Sequence, residues 1–313
     1  MNFVKEMFCQ KELNISLSES NGIICIVTSN PVYLVFGQNP EKPDYVIRKF
    51  TSQKSGYEHL ERAKKLREVF TANVAEPIAI VENNNFFYYI EKGIAGLPWF
   101  QISESHNSIK AWDNLRERAV MSLQYFQKGV SSRKEWLINV NVSKELLESY
   151  FNADIEDTEL KVKIKNLVDR YCTLLDELGV INNNYQHGDF CLNNLIIDNN
   201  SVHFIDFEDF GKTSFPMFDE ISLALSLFIQ VPNSVVTTLK DEIKYCIKNS
   251  LNRGKYSPSL LPAFFLYHLL FRLGKWGKND NRTEYKQWIL DILIAFVSSP
   301  YEYFESFYDK DMQ

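Results

Sequence analysis

Two short apolar runs near the middle of the chain constrain its fold more than any other feature. Residues 195–197 and 203–205 have strand-like composition and flank a polar turn at residues 198–201. This pattern predicts a β-hairpin, because Asp and Asn side chains satisfy backbone groups in tight turns. Asn194 precedes the first run and Asp206 follows the second. Folding the hairpin therefore returns Asp206 to the neighbourhood of Asn194, where one metal ion would contact both.

Polar residues around the hairpin form a pattern suited to phosphoryl transfer. His187, Asp189 and Asn194 have the spacing His-x-Asp-x4-Asn, and Asp206 follows twelve residues after Asn194. Phosphoryl transfer from a nucleoside triphosphate requires a carboxylate at the acceptor hydroxyl and oxygen ligands for Mg²⁺. Asp189 is the candidate for the first role, and Asn194 and Asp206 are the candidates for the second. His187 is interpreted as a residue that braces the loop, with metal ligation as the alternative.

The segment closely resembles the catalytic loop of the aminoglycoside phosphotransferase and choline kinase group. In that family the loop reads His-Gly-Asp-x4-Asn, which His187-Gly188-Asp189 and Asn194 match. The family's second metal residue lies in Ile-Asp-Trp/Phe-Glu, matched by residues 205–208, and a following Pro-x-x-Asp is matched by residues 216–219. The complete set in the correct order is much more specific than a lone His-x-Asp.

The resemblance implies an α+β, bilobal protein-kinase-like fold and an ATP- or GTP-dependent small-molecule kinase. The γ-phosphate of the nucleotide would pass to a hydroxyl of an aminoglycoside-, choline- or sugar-like acceptor, with Mg²⁺ as cofactor. Asp189 would orient that hydroxyl and accept its proton. Asp219 is expected to brace the catalytic loop. Glu208 and Asp209 are either solvated acids at the hairpin exit or acids of the acceptor pocket.

Composition and charge exclude several other classes of protein. The chain has 313 residues and a net charge of −6, which disfavours nucleic-acid binding through a basic surface. Its five cysteines form no CxxC pair, so neither a disulfide framework nor a zinc site is predicted. The most apolar stretch, residues 260–271, is shorter than the roughly 20 residues of a membrane span. Because the N-terminus also lacks a continuous apolar segment, we expect a cytoplasmic protein that binds neither nucleic acid nor membrane.

The order of predicted elements divides the chain into two lobes. Residues 1–92 are predicted to form a small five-stranded antiparallel lobe that binds the nucleotide, and residues 93–313 a larger, mostly helical lobe with the catalytic loop and acceptor pocket. The predicted strands of the small lobe are 22–28, 32–36, 44–50, 78–81 and 86–90, with a helix over 55–70. The predicted helices of the large lobe are 108–127, 144–151, 158–178, 219–228, 234–251, 259–273 and 282–297.

The third strand offers two candidate cations for the triphosphate. Arg48 occupies the family's lysine position by register, whereas Lys49 has the residue type that the family expects. Successive side chains of a strand face opposite sides, so only one of the two can face the cleft, and both alternatives stay open here. On the following helix Glu58 and Glu61 share a face, and either is a candidate partner for that cation.

The remaining nucleotide contacts follow from the resemblance alone. Ser29 lies in the expected phosphate-covering loop, residues 28–31, which lacks the GxGxxG pattern of protein kinases. The preference for ATP or GTP therefore stays open. The connector at residues 89–94, with Glu91 and Ile94, is expected to present backbone groups to the purine.

Two rival functions fit parts of the same pattern. A nucleotide-binding regulatory pseudokinase on the same fold would explain the unusual phosphate loop and the uncertain lysine. A metal-dependent hydrolase would use His187, Asp189 and Asp206 without a nucleotide.

The identity of the acceptor is not predicted. The aromatic residues of the segment 264–276 suit a quaternary ammonium group. Acids such as Glu208, Asp209 or Glu220 suit an aminoglycoside instead. Aromatic residues at helical spacing, however, more often belong to a hydrophobic core than to a ligand cage.

Overall fold

The computed structural model describes residues 22–27, 30–98, 108–198, 201–252, 256–276 and 283–307. Within these ranges the chain forms two compact units. The first comprises the described parts of Met1–Gly129 and Leu192–Asp209, and the second those of Val130–Cys191 and Phe210–Gln313. The predicted lobe boundary at residue 92 stays a prediction. The two compact units are defined by internal packing, whereas the predicted lobes are defined by which part binds the nucleotide.

The first unit contains the predicted five-stranded antiparallel sheet, in the order β1-β2-β3-β5-β4. The long helix α1 follows β3, as the sequence predicts. The bounds are β1 (Gly22–Ile26), β2 (Val32–Phe36), β3 (Pro43–Phe50), α1 (Gln53–Val69), β4 (Pro77–Asn83) and β5 (Phe86–Lys92).

The two faces of this sheet have different partners, because strand side chains alternate with a period of two. Val35, Ile47 and Ile90 are completely buried in a core on one face. On the other face Phe50 and Tyr89 pack against Leu60 and Ala63 of α1. Arg48 pairs in register with Tyr89 and so belongs to the face that packs on α1. The packing of the core thus determines which strand residues face the helix.

The predicted catalytic hairpin is present and is part of a second, three-stranded sheet. Its order is β10-β9-β6, with β6 at Leu97–Pro98, β9 at Leu195–Ile197 and β10 at Val202–Phe204. Residues 199 and 200 of the predicted turn lie outside the described residues. The helix α2 (Ile109–Ser131) belongs to the same unit, and its Phe126 stacks on Phe70 while both rings contact Phe204. This aromatic cluster anchors the hairpin within the first unit.

The second unit is mostly helical, and its central helix is α7. All residues of α7 from 261 to 270 are buried, and this helix contacts α3, α5 and α8. The bounds are β7 (Leu137–Asn141), α3 (Val142–Asn152), α4 (Thr158–Asp176), β8 (Val180–Asn184), α5 (Phe218–Ile229), α6 (Leu239–Asn252), α7 (Leu261–Trp276) and α8 (Thr283–Ser298). The five-stranded antiparallel sheet and the mostly helical remainder confirm the predicted fold class.

Two details of the second unit differ from the prediction. The helix expected from residue 234 begins at Leu239, since Thr238 and Asp241 exchange hydrogen bonds that cap the helix at this point. The antiparallel pair β7–β8 was not predicted. Its sequences are rich in Asn, which favours turns over strands, so the pairing of the two segments overrides their local preference.

The described helices include none that is both long enough and apolar enough to cross a membrane.

Candidate active site

The hairpin brings Asn194 and Asp206 together in the first unit, as its folding predicts. Asn194 ends a 3-10 turn (Leu192–Asn194), and its carbonyl oxygen accepts a hydrogen bond from the Ile205 backbone N–H at 3.1 Å. Asp206 is the next residue and has a left-handed backbone, with φ of 62°. This conformation is uncommon outside glycine and is often found at functional sites. A side-chain amide oxygen and a carboxylate at this position fit the oxygen ligands that Mg²⁺ requires.

Arg48 is held by two carboxylates of the segment that follows the hairpin. Its Nη1 atom donates to Asp206 Oδ1 at 3.0 Å and to Glu208 Oε1 at 2.6 Å. Burial alone would lower the pKa of the Arg48 guanidinium, but the two adjacent acids outweigh burial and raise it. Arg48 therefore keeps its positive charge beside the candidate metal residue.

Lys49 lies on the opposite face of the sheet. Its Nζ atom is 3.3 Å from the centre of the Phe86 ring, a cation–π contact. Of the two candidate cations, the structure thus places Arg48 next to Asp206.

The carboxylates that hold Arg48 are not those predicted from the helix. Glu58 and Glu61 are exposed on α1, where they contact Lys54 at 3.8 Å and Lys64 at 3.0 Å. The predicted partner of Arg48 is therefore corrected to Asp206 and Glu208. The physical reason is the position of these residues around the helix axis. The face of α1 that packs on the sheet carries buried residues such as Leu60, and the two glutamates lie outside that face. Roles of Glu58 and Glu61 toward a nucleotide stay predictions.

Two other residues of α1 face this site, and sequence reasoning did not single them out for it. The Arg62 guanidinium donates to the backbone oxygens of Phe207 and Glu208 at 2.7 and 3.0 Å. His59 is buried against the rings of Phe50 and Tyr89. Burial, and then the charge of Arg48, lowers the pKa of His59 to about 3.

The remaining nucleotide candidates have different surroundings. Ser29 lies outside the described residues. Glu91 is near the end of β5, where its Oε2 atom accepts a hydrogen bond from the Tyr89 hydroxyl at 2.8 Å. Burial raises the pKa of the Glu91 carboxyl. Ile94 follows β5 and is half-buried. Their contacts with a purine stay predictions.

In the second unit, Asp189 is paired with an arginine that the sequence analysis did not identify. Arg272 Nη1 donates to Asp189 Oδ1 at 2.8 Å. Burial alone would raise the pKa of Asp189, but Arg272, Lys275 and His187 outweigh burial and lower it. Asp189 is therefore ionised at neutral pH. The single arginine of α7, within a mostly apolar helix, was the signal available in the sequence.

The loop before Asp189 is braced by Asp219, as the sequence predicts. The carboxylate of Asp219 accepts the backbone N–H groups of His187 at 2.6 Å and Gly188 at 3.0 Å. Gly188 has φ of 79°, a conformation that favours glycine. Burial raises the pKa of Asp219 to about 7, although the two backbone hydrogen bonds favour its ionised form. His187 is itself 1% exposed and packs edge-on against Phe190.

The acids and aromatic residues considered for the acceptor pocket have internal partners. Glu208 is paired with Arg48, Asp209 is buried, and the Glu220 carboxylate accepts a hydrogen bond from the Ser250 hydroxyl at 2.6 Å. Phe264, Tyr267 and His268 are at most 1% exposed, so these residues of α7 belong to the core. The side chain of Trp276 lies outside the described part. Among the described residues, no group of three His, Cys, Asp or Glu side chains is arranged to hold a metal.

A family model provides the decisive comparison. The model of the phosphotransferase enzyme family (APH) matches residues 27–241, more than half of the chain. The chain belongs to the phosphotransferase enzyme family. A comparison with curated proteins found no match.

Solved structures of phosphotransferases share the fold of this family member. A thermostable mutant of the aminoglycoside phosphotransferase APH(4)-Ia, in a ternary complex with AMP-PNP and hygromycin B, is 13% identical with a TM-score of 0.66, covering 96% of this chain and 99% of that chain. The choline kinase LicA from Streptococcus pneumoniae is 14% identical with a TM-score of 0.56, covering 95% and 98%. A glucosamine kinase in complex with glucosamine, ADP and inorganic phosphate is 10% identical with a TM-score of 0.52, covering 91% and 81%. At these identities the similarity shows a shared protein-kinase-like fold.

The matched segment of this family member includes the candidate residues of both units. Arg48, Asp189, Asn194 and Asp206 all lie between residues 27 and 241, whereas Arg272 lies beyond the match. Arg272 is therefore a feature of this chain that the family model does not describe.

Proposed function

We propose that the chain is a Mg²⁺-dependent small-molecule kinase that transfers the γ-phosphate of ATP or GTP to a hydroxyl group. The observation that carries this proposal is the arrangement around Asp206. A permanently charged Arg48 donates to this residue, and the Asn194 backbone oxygen accepts from the adjacent Ile205, all within the segment that the family model matches. These are the groups that a metal–triphosphate complex requires.

In this proposal each residue has a defined task. Arg48 holds phosphate oxygens of the nucleotide, exchanging its carboxylate partners for the more strongly charged triphosphate. Asn194 and Asp206 hold Mg²⁺, which when bound neutralises charge on the transferring phosphoryl group. Backbone groups between Glu91 and Ile94 contact the purine. The ionised Asp189 orients the acceptor hydroxyl and takes its proton.

The substitution Asp189→Ala tests the proposal directly. We expect it to lower phosphoryl transfer by at least about 100-fold, because general-base catalysis and the orientation of the hydroxyl are both lost. Mg²⁺-nucleotide affinity should change less than about threefold, since Asp189 has no predicted role in nucleotide binding. The measurement is Mg²⁺-dependent release of ADP and GDP against separate pools of aminoglycosides, amino alcohols and sugars. Asp169→Ala, which removes an exposed acid on α4, is the matched control.

The outcomes of this experiment separate the proposed functions. Release that one pool stimulates, and that Asp189→Ala abolishes, supports a kinase and narrows its acceptor. Equal turnover in the wild-type protein and Asp189→Ala would contradict the assigned role of Asp189. Nucleotide binding without transfer to any pool would favour the regulatory function on the same fold.

A further inference from the structure

Arg272 is a buried cation on the mostly apolar helix α7. Only 2% of this residue is exposed, and it lies on α7 among fully buried residues such as Leu269 and Leu270. Its Nη1 atom donates to Asp189 Oδ1 and its Nη2 atom to Ser222 Oγ on α5, each at 2.8 Å. The guanidinium also lies 5.2 Å from the centre of the Phe218 ring.

Burying such a charge is unfavourable unless it is paired. Desolvating an arginine and a carboxylate costs several kcal/mol per ion, so a buried pair is often no more stable than apolar residues of similar size. The neighbours of Arg272 on α7, such as Leu269 and Leu273, are apolar and buried. A contribution to stability therefore explains the presence of an arginine at position 272 poorly. A role connected with Asp189 explains it better.

The hydrogen bonds of Arg272 constrain the orientation of the Asp189 carboxylate. Ser222 and Phe218, both on α5, orient the guanidinium, and the guanidinium in turn engages Oδ1 of Asp189. A general base is effective only when it is held in hydrogen-bonding position for the hydroxyl proton. The hydrogen bond from Arg272 therefore fixes the orientation of the carboxylate that the proposed function assigns to the acceptor.

We propose that Arg272 is a positioning residue of the catalytic base, holding the Asp189 carboxylate in the orientation that receives the proton of the acceptor hydroxyl. This inference rests on the proposed kinase function. It goes beyond that function because it assigns a role to a residue outside the segment that the family model matches. The proton moves from the hydroxyl to the Asp189 carboxylate as the acceptor oxygen bonds to the γ-phosphorus and the bond from that phosphorus to the β–γ bridging oxygen breaks. Nucleoside diphosphate leaves, and Arg272 stays protonated throughout.

The first test follows the carboxyl of Asp189 itself and needs no acceptor. Its titration is measured by NMR in the full-length wild-type protein and in Arg272→Met, Arg272→Lys and Ser222→Ala, with Asp189→Asn used to assign the signal. We expect Arg272→Met to raise the pKa of Asp189 by about one unit or more, because a close positive charge is removed. Arg272→Lys should restore part of the difference. Ser222→Ala, which leaves the charge in place, should give the smallest change.

The second test measures turnover with the acceptor that the pools identify. We expect Arg272→Met to lower kcat by about 100-fold while KM for the nucleotide stays within about twofold. Arg272→Lys should recover part of kcat, because it keeps a cation but loses the fixed planar donor pair. Arg170→Met is the control for loss of an arginine, since Arg170 bonds to the Tyr301 hydroxyl at the protein surface.

These results distinguish failure of the inference from failure of the proposed function. An unchanged titration of Asp189, or an unchanged kcat, in folded Arg272→Met overturns the positioning role. If Arg272→Met does not fold, Arg272→Lys decides in the same way. The titration of Asp189 could instead shift in Arg272→Met while the wild-type protein shows no phosphoryl transfer that depends on Asp189. That result overturns the kinase function, and the positioning role with it.

Discussion

Arg48 and Lys49 show how two adjacent cations acquire different environments. They differ by one position on β3, and the alternation of the strand turns Arg48 toward Asp206 and Glu208 and Lys49 toward the Phe86 ring. The sheet register that buries Ile47 determines this choice. At the scale of single residues, the environment therefore decides which cation lies beside the candidate metal residue Asp206.

Replacing each cation by Met should separate their functions. We expect Arg48→Met to weaken binding of Mg²⁺–AMP-PNP by about 10-fold or more, since a charge-assisted phosphate contact contributes about 1.5–3 kcal/mol. Lys49→Met should change the affinity less than about twofold. Isothermal titration calorimetry gives both values. Equal losses in the two variants would contradict the assignment of Arg48.

His59 should make the folded protein sensitive to acid. Its pKa is about 3 in the folded protein, because burial and Arg48 disfavour the charged ring, against 6.5 as the ordinary value. Below pH 6.5 the unfolded chain therefore binds a proton that the folded chain does not. The stabilising contribution is complete above pH 6.5 and is lost as the pH falls toward 3.

The substitution His59→Phe should remove this part of the acid sensitivity. The wild-type free energy of unfolding should fall by about 1 kcal/mol more than that of the variant between pH 7 and pH 5.5. Urea unfolding at the two pH values measures the difference. The same decrease in both proteins would show that His59 is not the group responsible.

Two helical glycines illustrate packing at the scale of secondary-structure elements. In α2, a Cβ atom at Gly129 would overlap the Phe70 ring and lie 3.1 Å from Val69 Cγ1. In α1, a Cβ atom at Gly56 would make ordinary contacts of 3.4 Å with Ile80 and 3.5 Å with Phe87. Both positions are helical, so the contacts made by the added carbon distinguish them.

We therefore expect opposite effects from the same substitution. Gly129→Ala should destabilise the protein by about 1–3 kcal/mol, because overpacking against a buried ring exceeds the gain in helix propensity. Gly56→Ala should be neutral or stabilise by up to about 1 kcal/mol. Urea unfolding compares the two variants with the wild type. Destabilisation of equal size at both sites would contradict this account of the α2 packing.

At the scale of the whole molecule, the first unit is built from two separate stretches of chain. Residues 192–209 complete it, since the Phe204 N–H donates to the Asn73 oxygen at 2.7 Å and the Asn73 side chain donates to the Val202 oxygen at 2.8 Å. The strand β9 also pairs with Leu97 and Pro98. A fragment that ends at residue 129 lacks all of these partners.

We expect the fragment 1–129 to fail to fold cooperatively, because the Phe70 and Phe126 rings lose their packing against Phe204. The same fragment joined by a flexible Gly/Ser linker to residues 192–209 should recover a cooperative thermal transition. Circular dichroism during heating measures both. A cooperative transition in the fragment 1–129 alone would show that the hairpin is dispensable for this unit.

The sequence by itself determined the features that depend on local chemistry and periodicity. The hairpin around residues 198–201 and the proximity of Asn194 to Asp206 follow from short-range patterns, and the structure contains both. The bracing contact of Asp219, which the structure also contains, was expected from the family resemblance. The fold class follows from the same patterns, since alternating and helical periodicities are written directly in the chain.

Only the tertiary structure decided which distant residues meet. The choice of Arg48 over Lys49 required the sheet register, and its pairing with Glu208 spans 160 positions of sequence. The Arg272–Asp189 pair spans 83 positions, and it exists because the packing of α5 and α7 leaves one buried cation beside one carboxylate. Local patterns carry no information about such long-range pairs, because the free energy that selects them comes from burial of apolar surface across the whole unit.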